Sequence, residues 1–265
     1  VKRIFNNRVI DDIEYGQRFA AWMRIFLEPE IDARWYLRIF ESGPQTGYLC
    51  DFSNLYCQMT ADRWTEVARN VGKARIMYTL RDPAARLWSE VAFANFWGNR
   101  GLQLEGMSAR EFADLLAGGN FRAQSAYGPN YQTLRQVFGD TAVRLNFQET
   151  FAEAPLATLR AIEDWLAIGR SSYADAPIAQ RVNAMPGKIE MPPAFVEAAK
   201  PIVDQAFEDM DRAGLPYPRA WLERWQARQA GPQRRRGSAA RIRLGTALRG
   251  TVSARVRSAR RRLKR

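Results

Sequence analysis

The residues best suited to chemistry in this 265-residue chain are Arg81 and Ser89, which stand eight positions apart in the segment LRDPAARLWS. Guanidinium and hydroxyl groups both donate hydrogen bonds to phosphate oxygens. The apolar run 74–80 predicts a buried parallel strand, and Asp82 and Pro83 predict an N-cap and the first position of a helix. A helix that begins there presents free N–H groups and the positive end of its dipole. The segment therefore predicts an anion site for a nucleotide-type ligand.

The other charged residues of this segment leave alternatives open. Arg86 falls on the helix face of Asp82 and Ser89, so it is a candidate ligand-binding residue and equally a candidate salt-bridge partner. Arg81 has a comparable alternative, an ion pair with Asp82 or Glu90. The pattern favours binding for Arg81, because packing alone does not explain a strand-end arginine followed by this serine.

Arg81 and Ser89 resemble the pair with which the sulfotransferase family holds the 3′-phosphate of its sulfuryl donor, 3′-phosphoadenosine 5′-phosphosulfate (PAPS). Weaker similarities occur along the chain in the order that the family shows. They are Trp35-Tyr36-Leu37 with Phe40, then Asp51-Phe52-Ser53-Asn54-Leu55-Tyr56, a strand ending near Glu149, Arg181-Val182-Asn183 and Trp221. The segment from Asp51 to Tyr56 stands where relatives carry G-[DE]-x-[ST]-P-x-Y. Together they cover roughly residues 1 to 225. The Arg81 to Ser89 motif is specific, whereas the other pieces carry weight only through their order.

This resemblance implies a P-loop-NTPase-like three-layer α/β fold with a central parallel sheet flanked by helices. It also implies transfer of a sulfuryl group from PAPS to a hydroxyl or amine acceptor without a metal, leaving phosphoadenosine phosphate as product. Gly187-Lys188 is similar to the late basic loop that closes over the donor phosphate, so Lys188 is a further candidate for donor binding.

One large departure from the family concerns its glycine-rich phosphate loop. No G-x-x-x-x-G-K-[ST] pattern or shorter Lys-Gly-Thr variant occurs in the chain. Residues 1–5 (VKRIF) resemble the segment that usually follows the loop and its helix. We therefore expect an N-terminally truncated member that lacks the first strand, the loop and the first helix, and whose activity on its own is in doubt.

The acceptor must lose a proton, and the chain contains no histidine to take it. A carboxylate must then serve, and Asp51 is the first candidate for a substrate-side base or orienting group. An N-cap or turn role for Asp51 is an equal alternative. Cys50 and Cys57 lack histidine companions, so a zinc site is not expected.

Charge divides the chain into two predicted parts, an α/β domain over 1–229 and a basic tail over 230–265. Of 40 Lys and Arg residues, 13 follow Gly231 with no acidic residue among them, so 27 remain against 28 acidic residues in the body. The composition of the tail predicts either a disordered segment or an amphipathic helix that contacts an anionic surface through residues 234–265. No specific nucleic-acid partner is expected, since the body is near neutral. The location expected is cytoplasmic, with peripheral membrane contact as an alternative.

Periodicity predicts helices over 14–27, 61–70, 83–96, 155–168 and 194–213, and strands over 48–52, 74–80 and 142–147. Two rival functions remain open. A nucleotide or sugar kinase would need metal ligands and a complete phosphate loop, and a non-enzymatic polyanion or membrane-surface binder would act through the tail.

Overall fold

The computed structural model describes residues 13–41, 43, 47–97, 101–174, 176–178 and 190–231. In chain order the described residues form α1 (Ile13–Phe26), α2 (Ala33–Arg38), α3 (Ala61–Val71), β1 (Ile76–Leu80), α4 (Pro83–Trp97), α5 (Ala109–Ala117), α6 (Phe121–Ser125), α7 (Tyr127–Phe138), β2 (Val143–Phe147), α8 (Gln148–Glu153), α9 (Pro155–Leu166), α10 (Pro193–Arg212) and α11 (Arg219–Gln229). Residues 232–265 of the predicted basic tail and Lys188 lie outside the described residues.

The two strands pair in parallel, with Ile76 opposite Val143 at one end and Leu80 opposite Phe147 at the other. Helix α7 packs against both strands, and α8 follows β2 directly. The predicted α/β class, with a parallel sheet flanked by helices, is therefore confirmed. Because parallel strands end at the same edge, the residues after β1 and β2 meet there.

The strand predicted over 48–52 is wrong. Those residues form no ladder, and a short 3₁₀ turn at Leu55–Gln58 follows them. Cys50, Asp51 and Phe52 are exposed and belong to no described sheet. The segment is held instead by side-chain hydrogen bonds.

Capping residues fix several of the helix boundaries. Thr60 caps α3, which ends at Gly72 with φ +66°, a conformation that glycine adopts without strain. Ser108 and Glu111 form a reciprocal capping box at the start of α5. Satisfying the terminal N–H groups in this way fixes where each helix begins.

The core lies where α4, α5, α10 and α11 meet, and it is rich in aromatic rings. The rings of Trp88 and Phe195 lie 4.8 Å apart, and Phe112 packs edge-on against Phe195 at 5.4 Å. Helix α7 approaches α10 so closely that a Cβ atom at Gly128 would lie 2.0 Å from the backbone oxygen of Asp209. Among the helices described, none is both long and apolar enough to cross a membrane.

Candidate functional site

The junction between β1 and α4 consists of Arg81 and Asp82. The Asp82 side chain is buried, and its Oδ1 accepts hydrogen bonds from the N–H groups of Ala84 and Ala85 at 3.1 and 3.2 Å. The backbone oxygen of Asp82 accepts from the N–H of Arg86 at 2.8 Å. The predicted N-cap is confirmed, but the expectation of free N–H groups at this helix start is wrong. Asp82 occupies them, so an anion here must be bound by side chains.

Residues from three other elements converge on the same junction. Arg224 of α11 donates to Asp82 Oδ2 through Nε and Nη2, at 3.2 and 3.1 Å. The N–H of Asp82 donates to Glu149 Oε1 at 3.1 Å, and the Tyr127 hydroxyl donates to the backbone oxygen of Arg81 at 3.1 Å. Arg224 is 142 positions from Asp82, and no local pattern in the sequence marks that contact.

The side chain of Arg81 is half-buried at the carboxyl end of β1. Both acids considered as its ion-pair partners are bound to other arginines, Asp82 to Arg224 and Glu90 to Arg86. Within the described residues the Arg81 guanidinium makes no hydrogen bond or ion pair. Its donors are therefore available to a ligand, which favours the binding interpretation over the ion-pair alternative.

Arg86 has the partners that its salt-bridge alternative requires. Its Nη1 donates to Glu90 Oε2 at 2.5 Å and to Gln124 Oε1 at 3.1 Å, and its Nη2 donates to Ser125 Oγ at 2.6 Å. These bonds tie α4 to α6. A donor-binding role for Arg86 stays a prediction, and it would use a guanidinium that already has four protein partners, the fourth being the backbone oxygen of Phe121.

Ser89 lies two turns into α4 and is half-exposed. It follows Pro83 by six residues, which places it about 9 Å along the helix axis from the junction. Its hydroxyl has no hydrogen bond with the described residues. Ser89 therefore stays a prediction for donor binding. Lys188 falls in the 179–189 gap of the described ranges, so its predicted role also stays a prediction.

Asp51 lies in the exposed segment before the 3₁₀ turn. Its Oδ2 accepts hydrogen bonds from the hydroxyls of Tyr36, at 3.0 Å, and Tyr56. Both partners are side chains, whereas an N-cap or turn aspartate would accept from backbone N–H groups. Partial burial and the adjacent Asp51 raise the pKa of both tyrosines, so each remains a protonated donor at neutral pH.

The Asp51 cluster, defined as Asp51 with Tyr36 and Tyr56, is connected to the Arg81 junction through α7. Asn130 on α7 donates to the backbone oxygen of Cys57 at 2.9 Å, one residue beyond Tyr56. Tyr127 stands three positions before Asn130 and therefore lies on the same side of the helix. Helix α7 thus holds both the strand-end arginine and the segment that carries the carboxylate.

Comparison with known proteins gives the fold but no family. No family model matches the chain, and no curated protein matches it. A solved structure, the crystal structure of a sulfotransferase from Alicyclobacillus acidocaldarius, is similar with a TM-score of 0.53 at 20% identity. The similarity covers 72% of this chain and 74% of that one. The chain therefore has a sulfotransferase-like fold, and the predicted P-loop-NTPase-like class is confirmed at the level of fold.

Proposed function

We propose that this protein is a sulfotransferase, which transfers a sulfuryl group from PAPS to a hydroxyl or amine of an acceptor. The observation that carries the proposal is the Arg81 guanidinium, which has no partner among the described residues although two carboxylates stand nearby in sequence. The sulfotransferase-like fold places this arginine at the carboxyl edge of a parallel sheet, where open α/β folds bind ligands. The residues present thus fit the phosphate end of the donor.

Arg81 and Ser89 bind the phosphate end of the donor in this proposal. Arg81 holds the 3′-phosphate with its forked donors, and Ser89 adds a hydroxyl donor. PAPS supplies the activated sulfuryl group when it is bound. The chain's contribution is positioning and electrostatic stabilisation, as in phosphoryl transfer.

Asp51 takes the acceptor side in this proposal. Its carboxylate orients the acceptor hydroxyl or amine and receives its proton. The Tyr36 and Tyr56 hydroxyls hold the carboxylate in place, because both donate to the same oxygen. The other carboxylate oxygen is then the one that faces the acceptor.

The test of this proposal is binding of the donor product, adenosine 3′,5′-bisphosphate, by calorimetry. Arg81→Ala should weaken binding by about 1.5–3 kcal/mol, the scale of a hydrogen bond to a charged group. Arg63→Ala is the matched control, since Arg63 sits in an exposed ion pair with Glu66 on α3. An unchanged dissociation constant for Arg81→Ala, or an equal loss in both variants, would contradict the assignment.

The basic tail supports a secondary proposal for a partner. Thirteen cations without an acid favour contact with an anionic surface through residues 234–265. A cytoplasmic location with peripheral membrane contact agrees with this charge distribution.

A further inference from the structure

The peptide group that joins Arg81 to Asp82 is held at both of its polar ends by side chains. Its carbonyl oxygen accepts from the Tyr127 hydroxyl at 3.1 Å, and its N–H donates to Glu149 Oε1 at 3.1 Å. Tyr127 begins α7, and Glu149 lies in the first turn of α8. Two elements distant in sequence therefore fix the orientation of one peptide plane.

This arrangement is separate from the capping of α4. Asp82 caps the helix with its own Oδ1 and its own backbone oxygen, and neither bond involves Tyr127 or Glu149. What the peptide plane does control is the direction of the Arg81 side chain, because rotation about the Arg81 ψ angle moves the plane relative to Cβ. Fixing the orientation of this peptide plane therefore fixes the direction in which the Arg81 guanidinium extends from the end of β1.

Tyr127 and Glu149 each use a polar group to bind this peptide group. Tyr127 is buried, and burial raises the pKa of its hydroxyl, so it remains a donor. The second oxygen of Glu149 is buried and has no hydrogen-bond partner among the described residues. Leaving a carboxylate oxygen unpaired costs free energy, and a role confined to packing does not explain its presence.

We propose that Tyr127 and Glu149 are positioning residues that aim Arg81 at its phosphate ligand. The identity of that ligand rests on the proposed function, whereas the effect on the direction of Arg81 does not. The inference adds two residues to the site, neither of which touches the donor.

The first test replaces one hydroxyl at a time. Tyr127→Phe should weaken binding of adenosine 3′,5′-bisphosphate about five- to tenfold, the range for one lost hydrogen bond. The matched control is Tyr78→Phe, because the Tyr78 ring lies 6.4 Å from the Tyr127 ring and, among the described residues, its hydroxyl makes no hydrogen bond to the Arg81–Asp82 peptide. Equal affinities in the two variants would overturn the proposal.

The second test separates positioning through Arg81 from a general effect on folding. On an Arg81→Ala background, Tyr127→Phe should cause no further loss of affinity, because the residue it aims is gone. A further loss of the same size as in the wild-type background would overturn the proposal. Thermal unfolding of each variant checks that the fold is retained.

The third test asks what Glu149 contributes. Glu149→Gln keeps an oxygen that can accept from the Asp82 N–H, so this variant should bind adenosine 3′,5′-bisphosphate with near wild-type affinity. Glu149→Ala removes that oxygen and should weaken the binding. If Gln and Ala weaken binding equally, the negative charge acts rather than the hydrogen bond, and the positioning role of Glu149 is overturned.

A readout without the nucleotide distinguishes this inference from the proposed function. The readout is the rate at which phenylglyoxal modifies Arg81, followed by peptide mass spectrometry. This rate should change in Tyr127→Phe and should stay at the wild-type value in Tyr78→Phe. If the wild-type chain does not bind adenosine 3′,5′-bisphosphate, the proposed function fails, and this rate still tests the direction of Arg81. An unchanged rate in Tyr127→Phe would overturn the inference.

Discussion

At the scale of single residues, the site depends on which charges are neutralised and which are not. Asp82 and Glu90 each bind an arginine from another turn or element, and Arg81 is left with its donors available among the described residues. If Asp82 and Glu90 were both unpaired, their negative charges would repel a phosphate ligand from Arg81. The ion pairs at Arg224 and Arg86 therefore matter to the site although neither residue needs to contact a ligand.

The Asp51 cluster supports a prediction about turnover. Asp51→Asn should lower transfer of radiolabelled sulfur from PAPS to hydroxyl or amine acceptors by about 100-fold or more, because the amide cannot take the proton. Affinity for adenosine 3′,5′-bisphosphate should remain at the wild-type value, since the proposed function assigns Asp51 to the acceptor side. Asp62→Asn, on α3, serves as the control.

The tyrosines of this cluster refine the same prediction. Tyr36→Phe and Tyr56→Phe each remove one donor to Asp51 and should give a smaller loss of turnover than Asp51→Asn. A full rate in Asp51→Asn, or a loss of nucleotide affinity equal to that of Arg81→Ala, would contradict an acceptor-side base.

Residue-scale prediction from sequence succeeded where a bond is local. The Asp82 cap and the Ser108 capping box follow from residue types two to three positions apart, and both are present. The contacts from Tyr127, Glu149 and Arg224 reach the junction from 46 to 142 positions away, and nothing in a single sequence marks them. The sequence shows the pattern of Arg81 and Ser89 that predicts an anion site, but it does not show which residues hold the junction in place.

At the scale of elements, a buried carboxylate connects α9 to the chain that follows it. Glu163 is 2% exposed and accepts from Arg160 at 2.7 Å, from the N–H of Ser171 at 2.8 Å and from the hydroxyl of Tyr173 at 2.9 Å. The Arg160 bond and then the Ser171 bond lower the pKa of Glu163 to about 2 from 4.5. The carboxylate is thus ionised in the folded protein at any pH near neutral.

This pKa predicts a loss of stability in acid. Because the folded pKa lies below the unfolded one, the contribution of Glu163 is complete above about pH 4.5 and is lost as the pH falls towards about 2. Chemical denaturation across this range should show a falling free energy of unfolding, and Glu163→Gln should flatten the dependence. Glu66→Gln, in an exposed ion pair, should leave it unchanged, and an identical slope in wild type and Glu163→Gln would refute the prediction.

Element prediction failed at 48–52 for a reason of context. A short run of apolar and aromatic residues forms a strand only where a partner strand completes its backbone hydrogen bonds. The helices were predicted more closely, since their periodicity and caps are properties of the element itself. Pro155–Leu166 ends two residues before the predicted boundary, at Ala167 in the left-handed conformation with φ 54°.

At the scale of the whole molecule, a near-neutral body carries a strongly basic tail. A chain cut after Gln229 should bind adenosine 3′,5′-bisphosphate as the full chain does, and should lose binding to heparin. Heparin binding by the full chain should fall steeply with added salt, because it depends on released counterions. Fluorescence anisotropy with labelled heparin measures both effects.

The matched control for the tail replaces its arginines with lysine, which keeps the charge. Retained heparin binding in that variant would agree with an electrostatic contact. Heparin binding that survives removal of the tail would contradict the secondary proposal, whereas loss of nucleotide binding on removal would contradict the division of the chain at 229.

The fold class was predicted from the resemblance to the sulfotransferase family, and the solved sulfotransferase agrees with it at the level of the fold. The packing of α10 against α4, α5, α7 and α11 was not predicted, because packing of distant helices depends on shape. Gly128 is an example, since its missing side chain lets α7 meet the backbone of α10, and its sequence neighbours do not indicate that contact.

The bond between Asp82 and Arg224 also bears on how the protein is made. A ribosome synthesises Asp82 long before Arg224, so the strand-end junction stays incomplete while the intervening 141 residues are being added. During that interval one oxygen of Asp82 lacks its arginine. A nascent chain interrupted before α11 would therefore expose a strand-end junction that lacks this arginine, and the junction reaches its final form only after α11 has been synthesised and packed.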